Sequence, residues 1–334
     1  MSISTRFADL AGVDHPVVQA PVGSVTCPAL AAAVSAAGGL GSLAVTWRSP
    51  TATKRAIAET ASRTDAPFAV NLVLDDATRR YPTDEHLRAC LDAGAPVVTF
   101  SFGDPTSYVE QVHDADALAL AMVGSPDDAR VAADAGVDVV VAQGAEAGGH
   151  LDSDVSTMAL VPQVADAVDT PVLAAGGIAD GRGLAAALAL GADGAYLGTR
   201  FVATTEALSH PTYRQHILDA DGQDAVRTGC FDGGWPSRDH RVVRNSTVEA
   251  WAAAGRPQRG ERPGDGEVVA RVGSEDVERY DDDPPLPTTE GNVEAMALYA
   301  GQSVGGVADL PAAGTVVERL VDEAGAVLDG LSQD

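Results

Sequence analysis

Residues Val172–Arg200 read VLAAGGIADGRGLAAALALGADGAYLGTR. An apolar run, Val172–Ala175, ends in paired glycines. Asp180-Gly181-Arg182 then opens an Ala- and Leu-rich stretch of helical length. That stretch closes at Leu190-Gly191-Ala192-Asp193, where a C-cap glycine leads into a second apolar run, Gly194–Gly198. Strand, helix and strand in that order form a βαβ unit, the building block of a parallel sheet.

The same phrasing recurs toward the N-terminus. Ala135-Gly136-Val137-Asp138 repeats the glycine-to-strand transition, and Ala93-Gly94-Ala95-Pro96 varies it. Ser125-Pro126-Asp127-Asp128 reads as an N-cap serine, a proline at N1 and acids in the first turn; Ser49-Pro50 repeats the start. Eight β-type runs emerge: Val17–Ala20, Gly39–Val45, Phe68–Leu72, Val97–Phe102, Leu118–Val123, Val137–Gln143, Val172–Ala175 and Gly194–Gly198. Several are apolar on nearly every residue, as strands buried on both faces must be. Eight βα units in about 200 residues predict an α/β fold, the (β/α)8 TIM barrel. A doubly wound sheet is the alternative, but it would place GxGxxG after the first strand. Pro21-Val22-Gly23-Ser24-Val25 stands there instead.

Past Phe201 the regularity stops. Residues 209–290 are polar, rich in Arg, Asp, Gly and Pro, and end near Asp281-Asp282-Asp283-Pro284-Pro285. A stretch this long is expected to be functional or disordered. The expected organisation is a barrel core over 1–208, an excursion or lid near the barrel mouth over 209–290, and a C-terminal helical segment over 291–334. Within that last segment, Val293–Ala300 and Thr315–Leu328 read as helices.

The 334 residues carry 22 Lys+Arg against 48 Asp+Glu, a net charge of −26. Such a surface repels phosphate backbones and anionic headgroups, so neither nucleic acid nor membrane is an expected partner. Lys54 is the sole lysine. The composition suits a salt-rich cytoplasm, and a high-GC coding bias would produce it equally well. Cys27, Cys90 and Cys230 are too scattered for a disulfide framework or a zinc site. The first residues, MSISTRFADLAGVDHP, lack the basic and apolar regions of a signal peptide. The Ala-rich run 29–37 is far short of the ~20 residues of a membrane span. A cytoplasmic protein is expected, and a homo-oligomer is allowed.

In a (β/α)8 barrel the active site lies at the C-terminal ends of the strands, with phosphate after strands 7 and 8. Gly176-Gly177 and Gly198-Thr199 stand there. Paired glycines let backbone N–H groups approach phosphate oxygens, and Thr199 adds a hydroxyl. Alternatively, these glycines only make tight βα turns. The sixth run leads into Gln143-Gly144-Ala145-Glu146-Ala147-Gly148-Gly149-His150. Gln143 can present an amide to a heterocycle, and the glycines make room for a flat ligand. His150 is the side chain best suited to move a proton near neutral pH. Its other reading is a surface-loop histidine. The remaining six histidines read as solvated. Asn71 ends the third run, where its amide can bond a ligand or cap a turn. Small residues at Ala20-Pro21-Val22 leave room for a ring system against backbone.

QAPVG, FAVNLVL, AQGAEAGGH, AAGGIADGRGLAAALALGADGAYLGTRF and YAGQSVG, in this order, resemble the FMN-dependent nitronate monooxygenases, formerly called 2-nitropropane dioxygenases. The resemblance covers about residues 15–205 and 295–307. It implies FMN binding by Asn71, Gln143, Gly148, Gly177 and Tyr196-Leu197-Gly198-Thr199. Ala20-Pro21-Val22 would underlie the flavin ring, Gln302-Ser303 would approach it, and His150 would be the general base. Tyr196 departs from the family, which commonly has Gln there. The implied activity is oxidation of alkyl nitronates with O2 on a small-molecule substrate. Two alternatives stand: an NAD(P)H-dependent quinone or enoyl-thioester reductase on the same barrel, and a non-catalytic flavin- or phosphate-ligand-binding barrel.

Overall fold

The computed structural model describes residues 3–78, 80–236 and 238–331. Its strands begin β1 (Val17–Gln19), β2 (Gly41–Ala44), β3 (Phe68–Val73), β4 (Val97–Ser101), β5 (Leu118–Val123) and β6 (Val139–Gln143). A two-residue strand, β7 (Gly149–His150), precedes β8 (Val172–Ala175) and β9 (Gly194–Leu197). All but β7 pair in parallel, in the order β1-β9-β8-β6-β5-β4-β3-β2. A bridge from Val18 to Leu40 joins the two remaining edges and closes the barrel. These eight strands fall on the eight runs read from the sequence.

Alternation along each strand divides the core. Val18, Ala69, Val97, Leu120, Val139, Val141, Leu173 and Tyr196 fill the barrel interior, where Phe7 of the helix Arg6–Ala11 joins them. Their neighbours Val17, Val70, Val98, Val140 and Ala174 pack outward against the helices. Leu120 is fully buried, and truncating such a side chain to alanine costs about 2–5 kcal/mol. The helix starts follow their caps. The Ser49 and Ser125 side chains accept from the N–H groups of Ala52 and Asp128. Gly94, Gly136 and Gly191 take φ of 79°, 90° and 95°, conformations that only glycine adopts freely.

Residues 209–290 carry their own structure. β10 (Ala225–Thr228) and β11 (His240–Val243) form an antiparallel pair, and β11 also pairs with β7. β12 (Val268–Val272), β13 (Glu275–Glu278) and β14 (Thr289–Gly291) make a second small sheet.

The helix expected over Val293–Ala300 is corrected. A single 3-10 turn spans Val293–Ala295, and Met296–Ala300 runs extended. Every residue from Met296 to Ala300 is buried. Val243 N–H donates to Leu298 C=O (2.8 Å), and Val242 bridges Tyr299. An apolar run buried on both faces carries no periodicity that separates strand from helix. The last helix spans Ala313–Leu331 and packs on the helices Gly181–Ala189 and Pro28–Ala36. The Glu323 carboxylate accepts the Gly181 N–H at 3.0 Å.

Candidate active site

A cavity of about 810 Å³ opens at the C-terminal ends of the barrel strands. Ala20, Pro21 and Val22 line it beyond β1, Asn71 from β3, and Gln143 from β6. Gly148 and His150 line it from the following loop. Ala175, Gly176 and Gly177 enter from β8, Tyr196, Leu197, Gly198 and Thr199 from β9, and Ser303 from the C-terminal segment. Of the residues singled out in the sequence, Gln302 alone lies off this wall. Its side chain is exposed, and its backbone N–H donates to Glu146 C=O at 2.9 Å.

The floor is built for close approach. Gly176 and Gly177 have φ of 108° and 75°. A Cβ on Gly177 would meet nothing nearer than 3.6 Å, nor would one on Gly198. A Cβ at either would sit in ordinary van der Waals contact on the cavity wall at the β8 and β9 ends, so the glycines form a cradle that larger residues would fill. Gly148 has a different role. A Cβ on it would lie 2.4 Å from the Gly301 nitrogen, so the loop and the C-terminal segment touch backbone to backbone. Thr199 Oγ1 accepts the Gly301 N–H at 2.8 Å and pins the same segment to β9.

The amides are partly engaged. Asn71 Nδ2 donates to Ser101 Oγ (2.6 Å) and Thr99 C=O (3.3 Å). Gln143 clasps the histidine loop: its Nε2 donates to His150 C=O (3.1 Å) and its Oε1 accepts Asp152 N–H (2.9 Å). This amide therefore holds His150, a use that the sequence did not suggest. Tyr196 points into the barrel among Ser42 and Thr99, and burial raises its pKa.

His150 sits in a ring-lined niche. Its centroid lies 4.2 Å from Trp235, 5.4 Å from His240 and 5.6 Å from Tyr299. Its Nε2 is buried with no hydrogen-bond partner among the described residues. Burial drives its pKa well below the ordinary 6.5; His240 and Arg238 push the same way, and Asp75 opposes them. The imidazole is therefore neutral at physiological pH and able to accept a proton. His240 is fully buried, not solvated as expected. Its Nε2 accepts Phe231 N–H (3.2 Å), and burial lowers its pKa to about 4. His86 is also buried, against Thr53 Oγ1 at 2.8 Å.

The excursion supplies the cover. Trp235 is 1% exposed and meets Phe102 edge-on at 4.8 Å. Phe102 lines the cavity with φ of 59°, a conformation that costs a non-glycine residue energy and clusters at functional sites. Arg238 lies over the Phe102 ring (4.7 Å) and pairs with Asp75 (3.3 Å) and Asp152 (2.5 Å). Glu275, Asp276, Asp282 and Asp283 line the cavity beside Arg48 and Arg80. Burial, then Asp283 and Asp281, push Asp282 up to about 6. Trp235 and Arg238 went unread, and His240 reads as solvated in the sequence, because no alignable motif surrounds them. The available signal was WPSRDH itself, a tryptophan set among charges in a polar stretch, where an exposed indole would be wasteful.

The nitronate monooxygenase family model matches residues 4–323. A Pseudomonas aeruginosa nitronate monooxygenase is 33% identical over 96% of this chain and 99% of its own. A (3aS,4S,5R,7aS)-5-hydroxy-7a-methyl-1-oxo-octahydro-1H-indene-4-carboxyl-CoA dehydrogenase of Rhodococcus jostii is 37% identical over 76% of this chain and 69% of its own. The solved structure of FabK from Thermotoga maritima superposes with a TM-score of 0.83 at 34% identity, covering 99% of each chain. With a family match across nearly its whole length, a closed parallel barrel and a glycine cradle at its mouth, the chain belongs to the nitronate monooxygenase family and is a flavin-dependent oxidoreductase.

Proposed function

We propose that this enzyme oxidises alkyl nitronates with O2, with FMN as its flavin and His150 as the general base for neutral nitroalkanes. The observation that carries the reading is His150: a neutral, half-buried imidazole on the wall of the cavity that contains the glycine cradle. Bound FMN would supply the electron acceptor for the nitronate, with O2 completing the oxidation. Gly176, Gly177, Gly198 and Thr199 would hold its single phosphate. Ala20, Pro21, Val22 and Asn71 would lie against its ring, Gly148 and Ser303 would flank it, and Gln143 would serve it through the His150 loop. Trp235, Phe102 and Tyr299 exclude water from the base. His150 takes the α-proton when the substrate arrives as the neutral nitroalkane.

A second reading is an NAD(P)H-dependent reductase, supported by the likeness to FabK and to the CoA dehydrogenase. Four carboxylates on the cavity wall count against a phosphate-bearing carrier, though Arg48 and Arg80 share that wall. Anaerobic titration separates the two. The flavin band of the purified enzyme should bleach with an alkyl nitronate and persist with NADH or NADPH. Bleaching by the nicotinamide alone would overturn the first reading.

A further inference from the structure

Asp75 lies just past β3, outside the residues assigned above to cofactor or proton transfer. Its Oδ1 accepts the Ala77 N–H at 3.0 Å and closes a turn. Its Oδ2 accepts the Trp235 indole N–H at 2.9 Å and Arg238 Nε at 3.3 Å. Arg238 reaches on to Asp152, two residues beyond His150. One carboxylate thus ties the excursion to the barrel at the point where the indole covers the imidazole.

We propose that Asp75 is a positioning residue for His150, acting through Trp235 to keep the ring covered and dry. This rests on the reading of His150 as the base. The groups facing His150 are the rings of Trp235, His240 and Tyr299 and the charges of Arg238 and Asp75. Asp75 acts on the imidazole in two opposite senses. As a bare negative charge it favours the imidazolium. As the anchor of the indole it maintains the burial that disfavours the imidazolium, and burial is the larger effect. The direction in which the titration moves therefore tells the two roles apart.

The test is a histidine-labelled NMR titration of the holoenzyme, with the His150 resonance assigned by its loss in His150→Asn. In Asp75→Ala the indole loses its acceptor, water reaches the ring, and the His150 midpoint should shift upward toward the ordinary value. Asp75→Asn keeps one acceptor oxygen for three N–H groups and should give a smaller upward shift. In Trp235→Phe, which retains an aromatic cover without the N–H, the further change Asp75→Ala should lose its upward shift and leave only the small downward shift of a lost negative charge. A downward shift in Asp75→Ala would reduce Asp75 to a neighbouring charge, and an unchanged midpoint would remove it from the site. Both results overturn the proposal. If Asp75→Ala does not fold, Asp75→Asn carries the test by the same directions. The base reading fails separately, if His150→Asn retains full turnover of neutral nitroalkane.

Discussion

His150 and His240 are partners across the β7–β11 pair, with ring centroids 5.4 Å apart. One belongs to the loop after the sixth barrel strand, the other to the excursion. A two-residue strand suffices to fix them because Gln143 clasps the His150 loop from the barrel side. The His150 imidazole is thus held from below by the barrel and covered from above by the excursion.

Replacing His150 by asparagine should cut turnover of neutral nitroalkane by ~10²–10⁴-fold, the usual contribution of general-base catalysis. The loss with a preformed nitronate should be smaller, and flavin content should not change. Steady-state rates on both substrate forms, with flavin quantified by absorbance, check this. Full activity on both forms would reduce His150 to a loop residue.

The acid limb of the pH profile should lie low. His150 accepts a proton only when neutral, and its folded pKa is depressed well below 6.5. The kcat/KM for neutral nitroalkane should therefore hold as pH falls through 6.5 and drop only in more acidic buffer. A limb centred at 6.5 would mean that the imidazole is solvated.

Stability should fall over a related window. The folded pKa of His240 is about 4 against an ordinary 6.5. The unfolded chain binds the proton more tightly, so this contribution is fully present above pH 6.5 and is lost as pH falls toward 4. Asp282 works in the opposite sense. Its folded pKa is raised from 3.8 to about 6, so its buried charge costs stability above that range. Asp282→Asn should raise Tm at neutral pH by a few degrees and steepen the acid loss. Thermal melts across pH check both signs.

Gly177→Val should deplete the bound flavin. The residue sits at φ 75°, where a β-branched side chain is strained, and the new methyls would occupy the cradle. Heat release followed by mass measurement reads the amount bound and identifies it. FMN is expected, because the chain offers a glycine cradle for one phosphate and no dinucleotide fingerprint. Recovery of FAD would refute the assignment.

Salt should stabilise the protein and speed capture of anionic substrate. A net charge of −26 repels itself in dilute buffer, and the Debye length shrinks to about 3 Å at 1 M. Tm should climb with KCl, and kcat/KM for nitronate should climb with it, because four carboxylates line the cavity. A flat or falling Tm would reject adaptation to a salty cytoplasm.

The barrel was readable because its signals are local. Ser125 before Pro126, Gly191 before a strand, and Val139-Val140-Val141 each carry their own physics within a few residues. Gly176 to Thr199 were readable for the same reason, since the fold dictates where such loops must lie. The cover over His150 was not. Trp235 matters only because β11 pairs with β7, and a pairing between segments so far apart leaves no periodic trace in either. Asp282 looked like part of a solvated acidic turn, because its burial depends on how the chain folds back over Gly234.

The closure of the barrel also constrains its synthesis. β1 finds its ladder partner only in β9, and its one bridge to the other side is Val18 with Leu40. While the chain emerges from the ribosome, β2 to β6 and β8 can assemble as an open sheet, but its edges stay unpaired until the final strand arrives. Exposed edges invite pairing with other nascent chains. A net charge of −26 spread along the chain works against such pairing in dilute buffer and loses that reach as salt screens it.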